Sequence, residues 1–148
     1  MTIELVEQPE VTSPSTSPHK RILIIDDDEA MVEVLSRRLG QQGFETVSAD
    51  CGAAGLAIAR AELPLLIVLD LRLPDKDGLA ICEELVDSAE TCGIPVIILT
   101  GMERPDIIRR CRAAGCQYFV RKPYDPNALL VLIRQAIAES GHGDALPG

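Results

Sequence analysis

Asp26, Asp27, Asp70, Thr100 and Lys122 each close, or lie just beyond, a short apolar run. Asp27, Asp70, Thr100 and Lys122 are spaced 43, 30 and 22 residues apart. The last two intervals fit one strand–helix crossover and the first fits two, so all can converge on one rim of a parallel sheet. A strand-end aspartate alone is as well explained as a helix cap or turn former. Three carboxylates on one rim repel one another and raise one another's pKa values. A hard divalent cation relieves this, and Mg²⁺ takes one or two carboxylates together with waters and phosphate oxygens. An ammonium opposite adds positive charge, and a hydroxyl can bond a phosphoryl oxygen. Such a carboxylate is set up to attack a phosphoryl group and hold it as an acyl phosphate.

The elements that must position these groups follow from hydrophobic periodicity. Ile22–Ile25 is a four-residue apolar run ended by acids, which suits a buried parallel strand. Helical spacing over 29–42 puts Met31, Val34, Leu35 and Leu39 on one stripe, and Gly43 stops it. Further strands are expected at 44–49, 65–70, 95–100 and 118–121. Helices are expected at 52–61, 79–89, 105–114 and 126–139. Asp28 is read as the first helix's N-cap. Strand alternating with helix five times predicts an α/β fold, a parallel sheet with helices on both faces. Ligands in such sheets sit at the carboxyl ends of the strands, where strand order reverses.

The chain has 148 residues, one domain's worth. Residues 1–19, rich in Ser, Thr and Pro and lacking Lys and Arg, are expected to be a disordered tail. The folded body is expected over 20–140, with a flexible tail over 141–148. The formal charge of −9 argues against coating nucleic acid. No apolar run approaches the length of a membrane span and no secretory signal is visible. The five cysteines form no CxxC motif and are read as reduced thiols in a cytoplasmic protein, most of them core fillers.

ILIIDDDE at 22–29, VLDLRLPDKDG at 68–78, VIILTG at 96–101 and YFVRKPY at 118–124 resemble the four signatures of bacterial response-regulator receiver domains, and the resemblance covers the whole expected body. It implies a three-layer, doubly wound (βα)₅ flavodoxin-like fold with strand order 2-1-3-4-5. It makes Asp70 the phosphoacceptor, with Asp26, Asp27, Asp70 and the backbone carbonyl of Arg72 around Mg²⁺. Thr100 and Lys122 would contact the phosphoryl group. Phe119 would be the aromatic switch that follows Thr100 inward; the two aromatics alternate on a short strand, so with Phe119 facing in, Tyr118 is expected to face out. Lys122–Pro123 resembles the family's cis peptide. The implied partners are a sensor histidine kinase or phosphotransfer protein and an unidentified output protein.

The chain departs from the family at Arg72 and Met102, positions that flank the phosphoryl group. Two readings of Arg72 stand side by side: its guanidinium reaches a phosphoryl oxygen or obstructs attacking water and so slows self-hydrolysis, or it points to solvent. With no effector domain evident, the chain reads as a stand-alone, chemotaxis-regulator-like receiver. Its output would be docking through the fourth helix, fifth strand and fifth helix. There Ile107, Ile108 and Cys111 look inward, Arg109, Arg110 and Arg112 look outward, and Val131 and Leu132 widen the apolar arc. The chain is thus read as a regulatory protein that catalyses only its own phosphotransfer and dephosphorylation. Two alternatives stand beside it. One is a receiver-fold adaptor that takes no phosphate. The other is a haloacid-dehalogenase-type phosphatase, whose pattern lacks here the Thr or Val at position 30 and a late acidic pair.

Overall fold

The computed structural model describes residues 21–101, 105–142 and 146–147. The expected tail over 1–19 and Met102 lie outside the described residues. Five strands alternate with five helices: β1 (Arg21–Ile25), α1 (Glu29–Gln41), β2 (Glu45–Ala49), α2 (Gly52–Glu62), β3 (Leu66–Asp70), α3 (Gly78–Asp87), β4 (Val96–Thr100), α4 (Pro105–Ala113), β5 (Tyr118–Arg121) and α5 (Pro126–Ile137). The sheet runs β2-β1-β3-β4-β5, all parallel. This is the doubly wound, flavodoxin-like order. The β1 strand feeds β2 on one side while β3 lies on the other, which opens a crevice at the carboxyl end of β1.

Strand residues are apolar on both faces because helices cover both. Leu23, Ile25, Ile67, Leu69 and Ile98 point to the side of α2, α3 and α4. Ile22, Ile24, Leu66, Val68, Ile97 and Leu99 point to the side of α1 and α5. These strand side chains are all fully buried, each stabilising the fold by about 1.5–3 kcal/mol.

Aspartates start three of the helices. Asp28 accepts from the Met31 amide, Asp77 from Leu79 and Asp125 from Asn127. Pro126 occupies the first turn of α5, where its missing N–H is harmless. Gly43 after α1 and Gly115 after α4 take φ of +92° and +111°, which a side chain resists. The α5 helix ends at Ile137, earlier than the apolar pattern suggested, and the next turn breaks at Gly141. Beyond it, Leu146 packs on the α1/α5 core and the Pro147 carbonyl accepts from Arg134.

Two expectations are corrected. Cys82 of α3 and Cys116, just ahead of β5, form a disulfide, whereas Cys51, Cys92 and Cys111 are free. The cause is tertiary: the turn at Gly115 packs against Val86 of α3, which sets Cys116 opposite Cys82. Tyr118 is half-buried rather than turned out to solvent, because the sheet has no bare face. It packs on the α1/α5 core while Phe119 packs on the opposite one, and its hydroxyl donates to Glu139.

Candidate functional site

The rim at the carboxyl ends of β1, β3, β4 and β5 carries the chemistry. Asp26 follows β1 directly and its amide donates to the Ala49 carbonyl, locking the ends of β1 and β2 together. Its carboxylate is buried; one oxygen accepts from the Asp28 amide at 3.0 Å and the other from Lys122 Nζ at 3.2 Å. Asp70 is the last residue of β3 and also buried. Its Oδ1 accepts from the Arg72 amide at 3.1 Å and its Oδ2 from Lys122 Nζ at 3.0 Å. Asp27 is exposed at the mouth, and carboxylate oxygens of Asp26, Asp27 and Asp70 lie within 4.8 Å of one another. Thr100 ends β4, is buried, and lends its carbonyl to the Lys122 amide at 2.8 Å. The Lys122–Pro123 bond is cis.

Electrostatics set the poise of this cluster. Burial pushes Asp26 from 3.8 up to about 6. The Asp28 amide opposes this, the Asp70 charge adds to it, and Lys122 opposes it again. Burial alone would depress Lys122, but the hydrogen bonds and charges of Asp70 and Asp26 outweigh it and hold the ammonium above its usual value. One partly buried cation therefore serves two buried anions, and a third anion stands at the entrance. That donor set, all hard oxygen with excess negative charge, fits a Mg²⁺ ion. Chemically the arrangement offers a fixed carboxylate nucleophile with a cation already in place for added negative charge.

The residues singled out in the sequence thus meet at one rim. Arg72 sits in the β3–α3 loop with its side chain exposed, and its backbone pairs with Asp77. Phe119 packs against the α2/α3/α4 core, with the Arg112 guanidinium 5.3 Å from its ring centre. Arg109, Arg110 and Arg112 are exposed as expected, Ile107 joins the core and Ile108 is half-buried. Val131 is 67% exposed. Asp75 was not foreseen as part of the rim. Its carboxylate accepts from the Gly52 and Ala53 amides at the start of α2. Beside Lys122, an open cleft of about 560 Å³ is lined largely by Met31, Val34, Pro123, Tyr124 and Pro126. A smaller one of about 240 Å³ lies by Val96 and Tyr118, at the opposite ends of the strands from the carboxylates.

Comparison with known proteins agrees with this geometry. Residues 22–134 match the family model described as response regulator receiver domain. Protein PilH of Pseudomonas aeruginosa is 32% identical over 118 residues, covering 80% of this chain and 98% of that protein. The response regulator PleD of Caulobacter vibrioides is 36% identical over 115 residues, 77% of this chain but 25% of that protein. The chain likewise spans about half the length of several other curated relatives. A CheY-like receiver domain protein from Methanospirillum hungatei superposes with a TM-score of 0.78 at 30% identity, covering 82% of this chain and 96% of that one. The receiver domain of sensor histidine kinase PA1611 from Pseudomonas aeruginosa, described with a magnesium ion in its active-site cleft, shares the fold at a TM-score of 0.73 and 23% identity. Among the described residues no helix is long and apolar enough to cross a membrane.

Proposed function

The chain belongs to the response regulator receiver family of two-component signalling, and from that premise we propose that it is a receiver phosphorylated on Asp70. The observation that carries this reading is the Lys122 ammonium held 3.0 Å from the buried Asp70 carboxylate, with Asp26 and Asp27 alongside. Asp26, Asp27, Asp70 and the Arg72 carbonyl would hold Mg²⁺, which when bound offsets the negative charge of the incoming phosphoryl group.

The donor is a phosphohistidine on a sensor kinase or phosphotransfer protein. An Asp70 carboxylate oxygen attacks phosphorus, the P–N bond breaks, and the imidazole nitrogen keeps the electron pair. Lys122 turns from the carboxylate to a phosphoryl oxygen, and the Thr100 hydroxyl bonds another. Water reverses the modification by attacking the acyl phosphate. The protein's catalysis is limited to its own phosphotransfer and dephosphorylation.

Output is a docking event. Drawing Thr100 toward the phosphoryl group frees space into which Phe119 rotates, reshaping the face of α4, β5 and α5. The exposed arginines of α4 and Val131 of α5 stand on that face. The output partner is a protein rather than nucleic acid, in keeping with the chain's net negative charge.

Incubation with Mg²⁺ and a small acyl phosphate, followed by mass spectrometry, tests the reading. The wild type is expected to gain one phosphoryl group that Asp70→Asn does not. Modification elsewhere, or none in the wild type, overturns it.

A further inference from the structure

The α2 helix has no cap of its own. Cys51, at its N-cap position, makes no side-chain bond to the helix, and the first turn contains no acid. The cap comes instead from the loop that follows Asp70. Asp75 Oδ1 accepts from the Gly52 amide at 2.7 Å and Oδ2 from the Ala53 amide at 3.0 Å. Both carboxylate oxygens are used on two successive free amides at the positive end of a helix, the strong form of such a contact. Those amides hold the Asp75 carboxyl below its usual value. Because the strands run β2-β1-β3, this bond reaches from the loop after β3, past the end of β1, to the helix after β2.

The loop is stiff enough to transmit the anchor. The Arg72 amide donates to Asp70 Oδ1 at 3.1 Å, Arg72 pairs with Asp77, and the Gly78 amide donates to the Leu71 carbonyl at 3.1 Å. A Cβ on Gly78 would lie 2.5 Å from the Leu71 Cα and 2.9 Å from the Asp70 carbonyl oxygen, so only glycine lets the loop close this tightly. Lys76 holds the other side through Glu84 of α3, at 3.5 Å. Residues 71–78 form a small closed unit, and Asp75 is its hold on α2.

We infer that Asp75 is a positioning residue for the phosphotransfer site: by capping α2 from the β3–α3 loop, it fixes where that loop presents the Arg72 backbone to Asp70 and to a Mg²⁺ ion. This deepens the phosphotransfer reading and rests on it for the identity of the metal. Asp75 touches neither substrate nor metal and acts only through the loop.

The test compares wild type, Asp75→Ala and Asp75→Asn by calorimetric Mg²⁺ titration and by amide hydrogen exchange at Arg72 in chelator. Asp75 is exposed, so both variants retain the core. Asp75→Ala is expected to weaken Mg²⁺ binding about tenfold and to speed Arg72 exchange by a similar factor, the size of a charge-assisted hydrogen bond lost. Asp75→Asn is expected to recover most of both, since a carboxamide oxygen still accepts an amide. Variants that lose thermal stability yet keep both readouts within about twofold of wild type would show a plain helix cap and overturn the inference. Wild-type protein that binds Mg²⁺ but takes no phosphoryl group removes the phosphotransfer reading and leaves this one standing. Wild-type protein that binds no Mg²⁺ removes both.

Discussion

Replacing Asp26 with Asn should make the metal-free protein more stable near neutral pH while destroying its Mg²⁺ site. The Asp26 side chain is fully buried, and its carboxyl is raised from 3.8 to about 6 chiefly by that burial. A carboxyl that holds its proton more tightly when folded makes ionisation oppose folding. Its contribution is therefore most favourable below pH 3.8 and declines as pH rises through about 6, then stays flat. Each tenfold in proton affinity is about 1.4 kcal/mol, so the ionised side chain opposes folding by about 3 kcal/mol at neutral pH. Asparagine keeps the oxygen that accepts from the Asp28 amide at 3.0 Å. Its side-chain NH₂ then faces the Lys122 ammonium, donor against donor, where the carboxylate oxygen accepted at 3.2 Å, which takes back about 1 kcal/mol. The net expectation is a gain of about 2 kcal/mol.

Urea unfolding in chelator measures it. With a slope of about 2 kcal/mol per molar, the midpoint should rise by about 1 M at about pH 7.5. The advantage should vanish toward about pH 4, where the native carboxyl is already protonated. Other acids titrate in that range, notably Asp75 and Glu139, both held below their usual values. The two proteins share them, so only the difference between the curves counts. Added Mg²⁺ should stabilise the wild type and leave Asp26→Asn unmoved. A variant no more stable than wild type at about pH 7.5, or a gap equal at both pH values, refutes the argument that burial of charge dominates this site.

Lys122→Ala leaves two buried carboxylates without their shared cation and should cost about 3 kcal/mol in chelator. Carbon-detected NMR should show Asp26 titrating above about 6, and an unshifted titration would contradict the ion-pair reading. Arg72→Ala should shorten the acyl-phosphate lifetime about tenfold, one charge-assisted hydrogen bond's worth; a lifetime equal to wild type in a chase assay ends that idea. Reducing the Cys82–Cys116 bond, which spans 34 residues of chain, should lower stability by up to about 4 kcal/mol from loop entropy. Urea midpoints with and without reductant read this directly, with Cys82→Ser as the control that reductant leaves unchanged.

What was legible in the sequence is what local pattern determines. Apolar runs such as Ile22–Ile25 and Leu66–Leu69 have no polar face, so they announce strands covered on both sides. The acids and lysine that end them announce the rim, and Asp28 announces its helix start. Contacts set by the packing of distant elements were not legible. Asp75 sits where a turn-forming aspartate is expected anyway, and nothing in its neighbours says that its carboxylate serves a helix more than twenty residues earlier. Cys82 and Cys116 carry no pairing motif; they meet because Gly115 lets the α4–β5 turn press on α3. The Tyr118 error came from treating alternation on a short strand as inside against outside. In a sheet covered on both faces, alternation separates two interiors.

The same burial that raises Asp26 explains why this rim suits a switch. Its anionic groups outnumber the one partly buried cation, so the site at rest is held together under repulsion. Any ligand that adds positive charge gains binding energy from relieving that repulsion, and a proton competes with it for Asp26. On the proposed reading, converting Asp70 to an acyl phosphate would replace a small anion with a larger one beside Lys122 and the loop bearing Arg72. The carboxylates would repel the new charge, so on the phosphotransfer reading it would draw on the Lys122 ammonium and the Thr100 hydroxyl. Thr100 ends β4, and Lys122 follows the neighbouring β5, the strand that carries Phe119. The proposed modification would therefore pull on the ends of β4 and β5, which border the α4–β5–α5 face, and in this way a change at one carboxylate would reach a surface it does not touch.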